Sequence, residues 1–218
     1  MGLFSSDPGA DDFESHRKAM VDRLVSHGRI TDSAVADALR AVPRHEFVPE
    51  GRRKEAYADR PLPIGDGQTI SAPHMVGIMA ELIEVDPGDD VLEIGTGCGY
   101  HAAVTAELIG EDGTVYSVEY SDVLAERARA TFDRLGYEVE VRIGDGRDGW
   151  PEHAPFDAAY FTCAAADLPD PVVEQTRVGG HVLAPIGTSQ QTLYRHTKRE
   201  DGTLDRESHG GVRFVQMR

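Results

Sequence analysis

The decapeptide Val91-Leu92-Glu93-Ile94-Gly95-Thr96-Gly97-Cys98-Gly99-Tyr100 limits what this chain can fold into more than any other stretch. An apolar run leads into a G-x-G-x-G loop, and an alanine-rich, helix-forming segment follows at once. The order predicts a buried strand, a glycine turn and a helix start. In α/β proteins that junction is where a nucleotide-like cofactor sits.

The remaining pattern extends this unit in both directions. Strands are expected at Val91–Ile94, Thr114–Glu119, Val139–Ile143, Ala158–Phe161 and His181–Pro185. Helices are expected between them at about Tyr100–Ile109, Ser121–Leu135 and Pro171–Thr176, and Gly136 ends the second. Gln191–Thr197 and Val212–Gln216 alternate as antiparallel strands do. Upstream, helices are expected over Phe13–His27 and from the Thr31-Asp32-Ser33 cap to about Val42, where Pro43 stops the second. Arg44–Asp66, which holds Pro49, Pro61, Pro63 and Gly65, reads as mostly irregular. Ser71-Ala72-Pro73 starts a third helix, with Ser71 as a good N-cap. The fold class is therefore α/β: a doubly wound, Rossmann-like sheet with a helical N-terminal extension and an antiparallel C-terminal strand pair. Three regions are expected. Residues 1–12 are disordered, 13–90 form the extension that covers the site, and 91–218 bind the cofactor as one compact unit with 13–90.

Composition removes several function classes. The chain has 38 acidic and 22 basic residues, a formal net charge of −16, and only Lys18, Lys54 and Lys198 as lysines. A phosphate-backbone partner needs a basic face, so nucleic acid is not expected. The acid is spread along the chain, which suits the surface of a protein from a salt-rich cytoplasm. No run of about 18 apolar residues suggests a membrane span, and no secretion signal is evident. Met1-Gly2-Leu3-Phe4-Ser5-Ser6 fits a bare myristoylation pattern without a second anchoring signal. Two cysteines and scattered histidines give no disulfide framework and no metal-ligand spacing. A cytoplasmic monomer without a metal is expected.

Acidic residues stand at the ends of three successive strands. Glu93 precedes the loop, Glu119 ends the next strand at a distance suited to ribose hydroxyls, and Asp145 follows the third, where it can accept from an adenine amino group. Glu93 beside the helix N-terminus would repel a pyrophosphate and attract an amino group and a sulfonium. The set suits S-adenosylmethionine better than NAD.

Blocks outside the loop carry a resemblance. Pro43–Pro49 (PRHEFVP), Tyr57–Gly65 (YADRPLPIG) and Gly67–Met75 (GQTISAPHM), with Leu92–Tyr100, Tyr116–Glu119, Gly144–Gly146, Ala154–Ala158 and Val178–Gly187, resemble the protein-L-isoaspartate O-methyltransferases. These are class I S-adenosylmethionine-dependent enzymes. The likeness runs from about residue 15 to residue 218, and the Thr69–His74 segment is its most specific part. It implies methyl transfer to the free α-carboxylate of L-isoaspartyl residues, and to some D-aspartyl residues, in damaged peptides and proteins. The ester then closes to a succinimide, whose hydrolysis returns some normal aspartate.

The resemblance also implies roles. Ser71 would hydrogen-bond the acceptor carboxylate near the methyl group. Gln68, Thr69 and Ile70 would close over the cofactor. Gly95, Thr96, Gly97, Cys98 and Gly99 would hold its methionine part. Glu119 and Tyr120 would meet ribose and adenine, and Asp145 and Gly146 the adenine edge. Thr162 and Gln191 would meet substrate, with Gln190 as an alternative register for the last. His74, after a proline at a helix start, is a further candidate for substrate contact in its own right. Cys98 and Cys163 depart from the usual serine and alanine and are expected to be packing residues. A carboxylate is ionised at neutral pH and needs no strong base, so no His–Asp pair is expected at the site. Two rivals remain: a methyltransferase for another acceptor, and a non-catalytic adaptor on the same scaffold.

Overall fold

In the computed structural model, residues 12–218 are described, so the expectations of disorder and myristoylation over residues 1–11 lie outside them. Asp12 itself caps the first helix by accepting from Ser15 N. Helix α1 (Phe13–Ser26) and helix α2 (Ser33–Ala41) come first, the latter capped by Asp32. The segment read as irregular is more ordered than its prolines suggest. It holds two short 3₁₀ turns, Arg44–Glu46 and Glu50–Glu55, and then strand β1 (Leu62–Gly65), which pairs antiparallel with β2 (Gln68–Ile70). Pro61 and Pro63 do not prevent a two-stranded ribbon, because each strand has a free edge where a missing N–H costs nothing.

After α3 (Pro73–Ile83) the chain alternates β3 (Asp90–Ile94), α4 (Tyr100–Ile109), β4 (Thr114–Glu119), α5 (Asp122–Leu135) and β5 (Val139–Ile143). It continues through β6 (Phe156–Phe161), α6 (Asp170–Glu174), β7 (Thr176–Ile186), β8 (Gln191–Lys198) and β9 (Leu204–Val212). The last strand therefore precedes the expected Val212–Gln216. Its Asp205, Arg206 and Glu207 are exposed, so it carries no apolar alternation to read.

Seven strands form one sheet in the order β5-β4-β3-β6-β7-β8-β9. β5 through β7 are parallel and the final two pairings antiparallel. From β3 the chain first builds toward β5 and then returns to the other side of β3. That reversal between β3 and β6 opens a crevice at their C-terminal ends.

Strand parity sets the two cores. Val91 on β3 faces the helices α1 to α5, in one cluster with Leu24, Leu39, Val76 and Phe132. Leu92 and Ile94 face the other side with Phe156, Phe161 and Val172, a thinner layer of α6 and turns. The N-terminal helices and the sheet thus share one apolar core. No helix among the described residues is long and apolar enough to cross a membrane.

Candidate active site

The glycine loop turns at the C-terminal end of β3. Gly95, Gly97 and Gly99 all have positive φ (100°, 56° and 89°). At Gly95 a Cβ would also lie 2.5 Å from Thr162 Oγ1, and at Gly99 2.4 Å from the Phe132 ring. Glycine is therefore required twice over at both positions, for conformation and for space. Glu119, at the end of β4, fixes the loop from the side: its Oε2 accepts from Gly97 N at 2.8 Å and its Oε1 from Ser121 N at 2.8 Å.

Beside the loop lies a cleft lined by Gln68, Thr69, Gly95, Gly97, Glu119, Tyr120, Gly146, Thr162 and Cys163, covered by residues 215–218. Arg218 reaches across to Asp66 in the β1–β2 turn, at 2.9 Å. A small cavity on the loop's other flank joins Ile70, Ser71, Thr96 and Cys98. These two cavities bring together the donor residues named from the sequence, except Gly99, Glu93 and Asp145.

Glu93 does not face the cleft. It shares the strand face of Val91, fully buried, where Tyr160 OH donates to it at 2.9 Å and Ser117 Oγ at 2.5 Å. Thr96 Oγ1 bonds Ser117 Oγ at 2.6 Å, and Thr105 Oγ1 donates to Tyr160 OH at 3.0 Å. The chain of hydroxyls ties β3, β4, β6, α4 and the loop. Burial pushes the Glu93 carboxyl up to about 8. Asp145 is also occupied: Arg147 binds it through its side chain and backbone N, which lowers its pKa. Of the three acids expected to choose the cofactor, Glu119 alone lines the cleft. Gln191 lies on the acceptor side, as expected, but its amide is engaged. Its Nε2 donates to Phe214 O at 3.0 Å and its Oε1 accepts from Phe214 N at 2.6 Å. It holds the segment after β9 as a neighbouring strand would, and both ends of its amide are engaged.

That segment walls a second, larger cleft of about 1130 Å³, shared by Thr69, Ser71, His74, Thr162, Gln190 and Gln191. Ser71 is not the helix cap that its neighbours suggested. The N-cap is Ala72, and the α3 backbone N–H of His74 is taken by Asp59 Oδ1 at 3.0 Å. The Ser71 hydroxyl makes no hydrogen bond among the described residues. Asp59 Oδ1 also lies 2.8 Å from His74 Nδ1, so a His–Asp pair reaches the acceptor cleft through His74, where none was expected. Asp59 was missed because fifteen residues and a β-ribbon separate it from His74; an acid inside the YADRPLPIG block was its only sequence signal.

Arg44 is the other residue sequence reading passed over. It is fully buried, donates to Ala56 O at 2.8 Å, and sits 4.9 Å over the ring of Tyr100, the first residue of α4. It clamps the 44–60 segment to the helix that the glycine loop starts. Burial raises the Cys98 and Cys163 thiols to about 11 and about 12, as inert packing residues require. No cluster of metal-ligating side chains exists among the described residues.

Comparison with known proteins adds the following. The family described as "Protein-L-isoaspartate(D-aspartate) O-methyltransferase (PCMT)" matches residues 15–218. Protein-L-isoaspartate O-methyltransferase 2 of Archaeoglobus fulgidus is 51% identical over 208 residues, covering 95% of this chain and 94% of that protein. The Methanopyrus kandleri protein-L-isoaspartate O-methyltransferase is 49% identical over 208 residues, covering 94% and 92%. A solved protein-L-isoaspartate O-methyltransferase superposes with a TM-score of 0.84 at 32% identity, over 92% of this chain and 65% of that one. A putative Plasmodium falciparum protein-L-isoaspartate O-methyltransferase, solved with S-adenosyl-L-homocysteine, shares the fold at 24% identity and a TM-score of 0.81, over 93% and 98%.

Proposed function

Since the chain belongs to the protein-L-isoaspartate(D-aspartate) O-methyltransferase family, we propose that its two clefts divide one reaction between them, the donor beside Gly95–Gly99 and the acceptor beside Ser71. The protein is an S-adenosylmethionine-dependent enzyme that methylates isoaspartyl residues in protein repair. The observation that carries the division is the shared wall: Thr69 and Thr162 line both clefts.

The donor cleft fits its cofactor. Its one lining carboxylate, Glu119, is anchored by two backbone N–H groups and suits ribose hydroxyls, while Tyr120 offers an exposed ring for adenine. Gly95, Thr96, Gly97, Cys98 and Gly99 would hold the methionine part, Gly146 the adenine edge, and Gln68, Thr69 and Ile70 the cover. Glu93 acts from beneath, through Ser117 and Thr96, and Asp145 contributes its backbone and its tie to Arg147. S-adenosylmethionine, when bound, supplies an electrophilic methyl group on a sulfonium.

The chain's own work is to aim and dry the acceptor. A carboxylate nucleophile arrives ionised, so no residue has to take its proton. Ser71 donates one hydrogen bond, which orients the carboxylate without neutralising it as a lysine would. Thr162, which lines both clefts, is pinned by its own hydroxyl to Gly95 O. Gln191 keeps the 213–215 wall in place. Attack merges a negative and a positive charge, so a site with little water favours it.

Rates of methyl transfer to an isoaspartyl peptide and to its normal aspartyl twin test the reading. Strong transfer to the first alone is expected. Transfer to neither, with cofactor still bound, points to the adaptor; equal transfer to both points to another acceptor. D-aspartyl peptides are the second acceptor to assay.

The extension 13–90 and the domain 91–218 work as one unit, a reading supported by their common apolar core. The enzyme acts as a cytoplasmic monomer, with no nucleic-acid or membrane partner, and its net charge of −16 is adapted to high salt. Its thermal midpoint is expected to rise by several degrees from dilute buffer to molar potassium chloride, as screening relieves repulsion. A midpoint indifferent to the salt would remove the halophilic reading.

A further inference from the structure

The acceptor needs no base, yet Asp59 and His74 stand as a base and its orienting acid would. Asp59 lies on the chain entering β1 and His74 in the first turn of α3. Asp59 Oδ1 receives both the His74 backbone N, at 3.0 Å, and Nδ1, at 2.8 Å. A carboxylate offers only lone pairs, so the Nδ1 facing it carries the proton. In the neutral imidazole Nε2 is then an acceptor, with its direction fixed by Asp59. Nε2 has no hydrogen-bond partner among the described residues, and His74 lines the acceptor cleft three residues after Ser71.

An isoaspartyl residue presents one feature that a normal aspartyl residue lacks. Its backbone N–H sits on the carbon that bears the free carboxylate. In the normal residue the N–H is one carbon further away, beside the chain carbonyl. A hydroxyl donor for the carboxylate and a nearby fixed acceptor for that N–H would together read the linkage itself.

We infer that His74 is a specificity-determining residue whose Nε2 accepts the isoaspartyl N–H, and that Asp59 is the positioning residue that keeps Nε2 free to do so. The inference rests on isoaspartyl methylation being the reaction. It assigns the His–Asp pair to recognition and leaves proton transfer out of its role. A site built to pair a substrate N–H discriminates against an analogue without it, since the protein acceptor is then left unmet.

The test compares two peptides with the unsubstituted enzyme and with His74→Phe. The first carries an L-isoaspartyl residue. The second carries L-malate in its place, linked onward through its β-carboxyl, so that an ester oxygen replaces the N–H. The enzyme is expected to prefer the first roughly tenfold in kcat/KM, the value of one hydrogen bond in such a site. His74→Phe is expected to lose about that factor on the first peptide and to treat the two alike, with S-adenosylhomocysteine binding unchanged. Should the phenylalanine variant fail to bind that ligand, His74→Ala is read by the same ratio. A variant that keeps the full preference overturns the inference. Failure of the unsubstituted enzyme to methylate the isoaspartyl peptide at all would overturn the reaction itself, and the two failures are told apart by that control.

Discussion

Ser71→Ala will lower kcat about 100-fold on an isoaspartyl peptide and leave S-adenosylmethionine affinity within about twofold. A hydrogen bond to a charged group is worth about 1.5–3 kcal/mol, or a factor of roughly 10 to 150, and misdirection of the nucleophile adds to the loss. The structure removes the usual objection that such a variant merely weakens a helix. Ala72 occupies the N-cap position of α3, and Asp59 takes the His74 N–H, so the serine side chain caps nothing. Stability should therefore stay within about 0.5 kcal/mol. Initial rates and equilibrium dialysis of the cofactor, made on the same preparation, separate the two effects. Turnover near the original value would take Ser71 out of the mechanism.

The second large effect concerns stability and pH. Glu93 is fully buried and its carboxyl is raised from 4.5 to about 8, by desolvation first and by the nearby Glu119 charge as well. Between those values the folded chain holds a proton that the unfolded chain has released. Stability is thus greatest below the unfolded pKa and falls as pH rises toward 8, by at most about 1.4 kcal/mol per pH unit, then levels. His101, buried against the Tyr160 ring and lowered to about 3, works in the opposite sense below its ordinary value of 6.5. Above that value Glu93 acts unopposed. Glu93→Gln removes the titration and keeps an acceptor for one hydroxyl. Urea midpoints at pH 5.5 and pH 8 should show the variant gaining on the original protein by several kcal/mol as pH rises. A constant difference between the two proteins would acquit Glu93.

The parallel strands were the most legible part of the fold. The central ones, β3 and β6, are buried on both faces and read as short apolar runs, and β4 and β5 fall where expected. The C-terminal pair was harder. Val212–Gln216 looks like a strand, but it is held piecemeal: the Gln191 side-chain amide bonds Phe214, and a short parallel bridge joins Gln216 to Ala164. The true strand β9 is polar on both faces and leaves no periodic trace. In the site, the glycine loop and Glu119 could be read because one short segment carries each. Asp59 could not, since its meaning depends on a contact made across the β-ribbon. Glu93 was misjudged although its direction was available: residues 91 and 93 of a strand share a face, and Val91 belongs inside.

Donor and acceptor sites are drawn from different stretches of chain. The donor's floor hangs from β3, β4 and the turn after β5, all held in the parallel half of the sheet. The acceptor's walls come mainly from the ribbon region before α3, the β7–β8 turn and the residues following β9. Few residues belong to both. The scaffold can therefore inherit its methyl source while the acceptor walls are rewritten for a new acceptor, and any such rewriting must pass through Thr69, Thr162, Val215 and Gln216, the four residues that line both clefts.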